Sequence, residues 1–173
     1  VELKKLLMNY THFKGNLTHL GGIFPIVGAS ATPFHLVAMD LSEISLNDYD
    51  GHRIILNIFP SLDTDVCALS VRQFNAKAAE FENTVVLCVS MDLPFAASRF
   101  CSVNGIENVI TASAFRSPIF GTDYGVKILD GPLCGLLARA VIVIGADRHI
   151  QYAQLVKEIT TEPNYDAVLK ALQ

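Results

Sequence analysis

The sequence predicts an α/β protein with a mixed central sheet flanked by helices, and three observations predict it. Short apolar, β-branched runs at residues 54–59, 85–90 and 140–144 read as strands buried on both faces. Between the first two, Val71, Phe74, Ala78 and Phe81 recur at steps of three and four, one face of an amphipathic helix. The third run is followed by the turn residues Gly145-Ala146-Asp147-Arg148 and a hairpin partner at 149–154. Strand–helix–strand followed by a terminal hairpin and helix is the pattern of a sheet with helices on its faces.

The remaining elements follow in chain order. Residues 11–24 suit an N-terminal β-hairpin, and 34–40 a strand. Residues 94–101 suit a short helix with Pro94 in its first turn, 108–111 a brief strand, and 163–172 a closing helix that starts at Pro163. The chain divides into an N-terminal extension, 1–10, and a single domain, 11–173, with no internal repeat and no linker.

Composition excludes several functions. With 51% hydrophobic and 17% charged residues the chain is too apolar to be disordered. The net charge of −4, with Lys4-Lys5 as the one basic pair of note, argues against a nucleic-acid partner. No stretch of eighteen apolar residues is free of charge, since Arg139 interrupts the best candidate, so no membrane span is expected. Only Leu6, Leu7 and Met8 separate Lys5 from Asn9, too few for a signal-peptide core, and a cytoplasmic location is expected. Cys67, Cys88, Cys101 and Cys134 show no zinc spacing and the five histidines are scattered, so neither metal nor cofactor is expected.

The segment that carries chemistry is 59–70, between a buried strand and a helix, because open α/β sheets place their sites at the carboxyl ends of strands. Cys67 falls in the first helical turn, where unpaired backbone N–H groups and the helix dipole favour a thiolate. Asp63 or Thr64 suits the N-cap, and the Thr64 hydroxyl lies one turn before the sulfur. The alternative is a small buried hydrophobe, the ordinary state of a free cysteine. Arg139, at the mouth of a core strand, needs an anionic partner, a carboxylate or a thiolate at Cys67, or must stay in water. Cys101, in Arg99-Phe100-Cys101-Ser102, ends its helix in a polar context expected to be accessible, whereas Cys88 reads as inert core and Cys134 as an incidental loop thiol.

Pro60-Ser61-Leu62-Asp63-Thr64-x-x-Cys67 resembles the peroxiredoxin active-site pattern Pro-x-x-x-Thr/Ser-x-x-Cys. Asp92-Leu93-Pro94-Phe95-Ala96, Arg99-Phe100-Cys101, Gly131-Pro132-Leu133, Leu137-Ala138-Arg139-Ala140 and the tail 158–163 are similar to the bacterial thiol peroxidase branch, the atypical two-cysteine peroxiredoxins. The resemblance runs from about Thr11 to the C-terminus. It implies a thioredoxin-like fold with an N-terminal β-hairpin, a homodimer, and reduction of hydrogen peroxide and alkyl or lipid hydroperoxides with thioredoxin as reductant. It also implies that Cys67 is the peroxidatic cysteine and Cys101 the resolving cysteine of an intrachain disulfide. In the same way Thr64 and Arg139 hold peroxide and thiolate, and Pro60 shields the pocket. Asp65 departs from the small residue or proline common there; it either points inward against the thiolate or faces solvent at the helix N-terminus, and the second is preferred.

Three rivals remain at this point. A redox sensor needs the same accessible thiol. A cysteine hydrolase needs a histidine base, and only His52 is near in sequence. A thioredoxin-like reductase needs a CxxC motif, which is absent.

Overall fold

The structure is a computed structural model and describes residues 9–173. The first eight residues of the expected extension, with Lys4-Lys5, lie outside the described residues. A seven-stranded sheet runs in the order β10-β9-β5-β6-β7-β3-β4. Its centre is parallel: β5 (Arg53–Ile58), β6 (Thr84–Ser90) and β7 (Ile110–Ser113). Antiparallel strands complete both edges, β9 (Ala140–Ile144) and β10 (Ile150–Leu155) on one side, β3 (His35–Val37) and β4 (Glu43–Ser45) on the other. The sheet is mixed, as the sequence predicts.

Side chains alternate across the central strands and so feed two separate cores. Ile54, Leu56, Ile58, Ile142 and Ile144 face one core, whereas Ile55, Phe59, Val141 and Val143 face the other. The second core is covered by α1 (Asp65–Ala78), α2 (Pro94–Asn104) and α4 (Tyr165–Ala171). The first is covered by α3 (Phe120–Asp123) and by a small sheet of β1 (Tyr10–Phe13), β2 (Asn16–Gly21) and β8 (Lys127–Ile128). The β1–β2 hairpin turns on Lys14-Gly15, both at positive φ, which matches the right-handed twist of its strands.

Several boundaries moved. The helix expected to stop at Cys101 runs on to Asn104 and ends where Gly105 takes a left-handed conformation, φ 60. Phe81 lies past the end of α1, and the strand expected at 34–40 contracts to three residues.

The antiparallel pairing of β9 with β5 fixes the location of the chemistry. Ile58 pairs with Ala140, so Arg139 sits beside the carboxyl end of β5, where the Pro60–Thr64 loop begins. Among the described residues no helix is long and apolar enough to cross a membrane.

Close backbone packing joins α3 to the segment after β2. A Cβ on Gly125, at φ +64, would lie 2.3 Å from the Phe24 nitrogen, whereas one on Gly131, at φ +72, would meet nothing within 4 Å. Gly131→Ala is expected to cost about 1–2 kcal/mol, the left-handed backbone penalty alone. Gly125→Ala is expected to cost clearly more, because backbone must also shift; urea unfolding of the two variants against the parent checks the difference.

Candidate active site

The loop between β5 and α1 is held by one carboxylate. Asp92 accepts the Ser61 hydroxyl on Oδ1 at 2.7 Å, and on Oδ2 both the Leu62 N–H at 2.7 Å and the Ser90 hydroxyl at 2.7 Å. Its own carbonyl accepts the Ser113 hydroxyl at 2.5 Å. Asp92 thus ties the loop to the carboxyl ends of β6 and β7, just before the Pro94 helix.

From this anchored loop, Thr64 takes the N-cap position of α1 in extended conformation, φ −105 and ψ 144. Its hydroxyl donates to the Ser61 carbonyl at 3.2 Å rather than to an amide of the helix, so Thr64 occupies the cap site without capping by its side chain. Cys67 is the third residue of α1, where amides have no intrahelical acceptor. Asp65 is exposed in the first turn, on the favourable end of the helix dipole.

Cys67 is fully buried, and Arg139 is 1% exposed. Arg139 Nη2 donates to Cys67 Sγ at 3.2 Å, and its Nε donates to the Ile159 carbonyl at 2.8 Å. Of the partners open to Arg139 on sequence grounds, the structure selects the sulfur. Arg139 Nη1 has no partner among the described residues. A cleft of about 420 Å³ opens above the pair, lined by Pro60, Thr64 and Arg139 from the predicted set and by Phe13, Leu133 and Ile159. Four of the five predicted site residues therefore meet at one place, with the sulfur beneath the arginine that lines the cleft.

Cys101 is the exception. It lies in α2 away from the cleft lining and is 6% exposed, correcting the expectation of an accessible thiol. The reason is that α2 continues a further turn, so that position 101 faces the sheet with Ala97 rather than closing the helix. Burial raises its pKa. Cys101 and Cys67 share one apolar core, and all four cysteines are free thiols. Cys88 is core, as expected, and burial pushes its thiol up to about 12. Cys134 is exposed and donates to the Leu129 carbonyl at 3.1 Å.

Sequence reading missed three supports of the site. Ser70 Oγ donates to the Cys67 carbonyl at 2.8 Å, and the buried Asn57 donates to Ser70 Oγ at 3.2 Å. Asn57 interrupts an otherwise apolar strand, the one signal that marked it in advance. Asp92 is the third. His52, at the far end of β5, bonds the Asp50 carbonyl at 3.2 Å, so it offers Cys67 no base.

Removing the Asp92 carboxylate deprives three donors of a charged acceptor. Asp92→Ala is expected to lower stability by roughly 2–4 kcal/mol, and Asp92→Asn by less, because its amide keeps one acceptor; chemical unfolding midpoints measure both.

Comparisons with known proteins identify the family. The redoxin family profile, "Redoxin", matches residues 26–169. The thiol peroxidase of Corynebacterium glutamicum is 56% identical over 165 residues, 95% of this chain and 99% of that one. The thiol peroxidase of Mycobacterium tuberculosis is 55% identical, over 92% of this chain and 95% of that one. Among solved structures, the peroxiredoxin-like protein of Aquifex aeolicus superposes with a TM-score of 0.90 at 42% identity, covering 95% of this chain and 96% of that one. The thiol peroxidase of Chromobacterium violaceum, at 22% identity and a TM-score of 0.88, repeats the fold. The chain therefore belongs to the redoxin family and, within it, to the thiol peroxidases, oxidoreductases of the peroxidase kind.

Proposed function

We propose that the protein reduces hydrogen peroxide and alkyl or lipid hydroperoxides through Cys67, with Cys101 as resolving cysteine and thioredoxin as the reductant. The observation that carries this reading is the 3.2 Å contact between Arg139 Nη2 and Cys67 Sγ, with both groups removed from water.

The chemistry is displacement at oxygen. The Cys67 thiolate attacks the terminal peroxide oxygen, an S–O bond forms, the O–O bond breaks, and the leaving oxygen takes a proton and departs as water or alcohol. Negative charge grows on that leaving oxygen. Arg139, which lines the cleft and whose Nη1 has no partner among the described residues, is the donor we assign to meet it, while Thr64 orients the peroxide and Pro60 keeps water from the sulfur. A preorganised donor of this kind is worth ~3–4 kcal/mol in the transition state.

The Cys101 thiol then attacks the Cys67 sulfenic acid, giving an intrachain disulfide and water. Both thiols are buried on separate helices, and a disulfide needs Cα atoms within about 7 Å and sulfurs in bonding contact; our reading is that the first turn of α1 and the end of α2 unwind in each cycle to bring them together. Two electrons from the thioredoxin dithiol return both cysteines to thiols. We also place the protein in the cytoplasm as a homodimer. Exposed Leu93, Phe95 and Ile119 give a second copy apolar surface to cover.

Peroxide consumption with thioredoxin, thioredoxin reductase and NADPH tests the reading. The parent is expected to turn over many times, Cys67→Ser not at all, and Cys101→Ser to lose recycling after about one equivalent. One equivalent consumed by the parent, without sustained NADPH oxidation, would make the protein a sensor instead. Because burial holds Cys101 protonated, disulfide formation in a stopped-flow trace is expected to quicken as pH rises across the neutral range.

A further inference from the structure

The two helices that carry Cys67 and Cys101 start from neighbouring segments, and one carboxylate joins those segments. The Phe59 N–H donates to the Val89 carbonyl at 3.1 Å. Beyond that rung, among the described residues, the hydrogen bonds between 60–64 and 91–95 both end on the Asp92 carboxylate. They come from the Ser61 hydroxyl and the Leu62 N–H, each at 2.7 Å. The Ser61 side of this junction leads into α1 and Cys67; the Asp92 side stands just before Pro94, which opens α2 and leads to Cys101. We infer that Asp92 is a positioning residue, a latch that speeds the peroxide step by holding the Cys67 loop against the root of α2 and slows the disulfide step by having to release it.

The latch has a fixed side and a side that can part. On the fixed side, Asp92 Oδ2 accepts the Ser90 hydroxyl at 2.7 Å, the Asp92 N–H donates to Ser90 Oγ at 3.2 Å, and the Asp92 carbonyl accepts the Ser113 hydroxyl at 2.5 Å. These bonds tie it to β6 and β7 whatever the loop does. On the other side, the hold on Ser61 runs on into α1. The Ser61 carbonyl accepts both the N–H and the hydroxyl of Thr64, each at 3.2 Å, and the Thr64 carbonyl accepts the Ala68 N–H at 2.9 Å, around the turn that contains Cys67. Hydrogen bonds to a carboxylate are stronger than bonds between neutral groups, so the hold is firm. Asp92 is only partly buried, so water takes the place of Ser61 and Leu62 when the loop leaves, and no charge is stranded.

The two chemical steps ask opposite things of this loop. While the Cys67 thiolate attacks peroxide, Thr64 and the sulfur have to stay in place beside Arg139, and a loop free to wander loses that alignment. In the second step the Cys101 sulfur forms an S–S bond to Cys67 and the S–O bond of the sulfenic acid breaks. The oxygen leaves as water with the proton of the Cys101 thiol. Both sulfurs are buried in separate helices, so the first turn of α1 opens before that bond forms, and each bond from Asp92 to the loop adds to the cost of opening.

The inference rests on the two-cysteine reading above, and the experiment keeps the two apart. Reduced parent, Asp92→Ala, Asp92→Asn and Arg53→Ala are mixed with equimolar hydrogen peroxide and quenched at intervals with a thiol-blocking reagent. Mass spectrometry then gives two rate constants, for oxidation of Cys67 and for closure of the Cys67–Cys101 disulfide. Arg53→Ala is the control for general softening, because Arg53 bonds the Glu82 and Leu172 carbonyls at the opposite end of β5. Asp92→Ala is expected to oxidise about tenfold more slowly and close about tenfold faster, and Asp92→Asn to change about threefold in the same directions, since its amide keeps one acceptor. Both constants of Arg53→Ala are expected to stay within about twofold of the parent. Any pattern in Asp92→Ala other than slower oxidation with faster closure overturns the latch, and so does the same opposed pair of changes in Arg53→Ala. If Asp92→Ala does not fold, parent-like constants in Asp92→Asn overturn it. A parent that is oxidised at Cys67 but closes no disulfide with Cys101 overturns the two-cysteine reading, and the latch falls with it.

Discussion

A guanidinium with almost no access to water is costly to bury, and among the described residues Arg139 is offset by two acceptors, the Ile159 carbonyl and the Cys67 sulfur. Much of the architecture serves that arrangement. Antiparallel pairing of β9 against β5 brings the arginine to the carboxyl end of the parallel strands. The loop after β10 returns a carbonyl to it, and the first turn of α1 lowers the sulfur onto it. A sulfur beside a fixed cation and at a helix N-terminus is in the setting that favours thiolate chemistry.

The same interaction explains why the surroundings are so heavily cross-bonded. Asp92 fixes the loop that precedes Cys67, Ser70 and Asn57 fix the helix that follows it, and Glu158 fixes the hairpin that overhangs it. Ser70 and Asn57 are polar groups spent on geometry in a core that is otherwise apolar, whereas Asp92 and Glu158 work from its margin. Against this rigidity stands the placement of Cys101 in a second helix of the same core, so the proposed disulfide with Cys67 asks movement of a site that is otherwise tightly held.

How much of this was legible in the sequence depends on the physics of each part. The central strands were, because a strand buried on both faces leaves a continuous apolar run, and Ala140–Ile144 appears as expected. β4, β8, α3 and the 3-10 turn Leu46–Tyr49 were not, since two to four residues are too few for a period to show. Cys67 and Arg139 stood out as a thiol at a strand–helix junction and a charge in an apolar run. Their contact, between residues 72 apart, depends on the pairing of β9 with β5, which no local pattern contains. Cys101 was misjudged as accessible because the polar residues flanking it, Arg99 and Ser102, lie on the outer side of a helix whose inner side carries the thiol. Glu158 and Asp92 act through backbone amides of distant turns, and such bonds leave no trace in spacing.

The central claim is that Arg139 acts on the reacting oxygen and does not merely fill the core. It is tested by comparing the parent with Arg139→Lys in two single-turnover reactions of reduced protein, one with hydrogen peroxide and one with iodoacetamide. Lysine keeps a positive charge but not the planar fork that reaches sulfur and substrate together. The account predicts that the peroxide reaction slows by about 100-fold or more while alkylation of Cys67 slows far less, because iodoacetamide has no O–O bond whose leaving oxygen needs a donor. Equal slowing of both reactions would contradict it and reduce Arg139 to a structural cation.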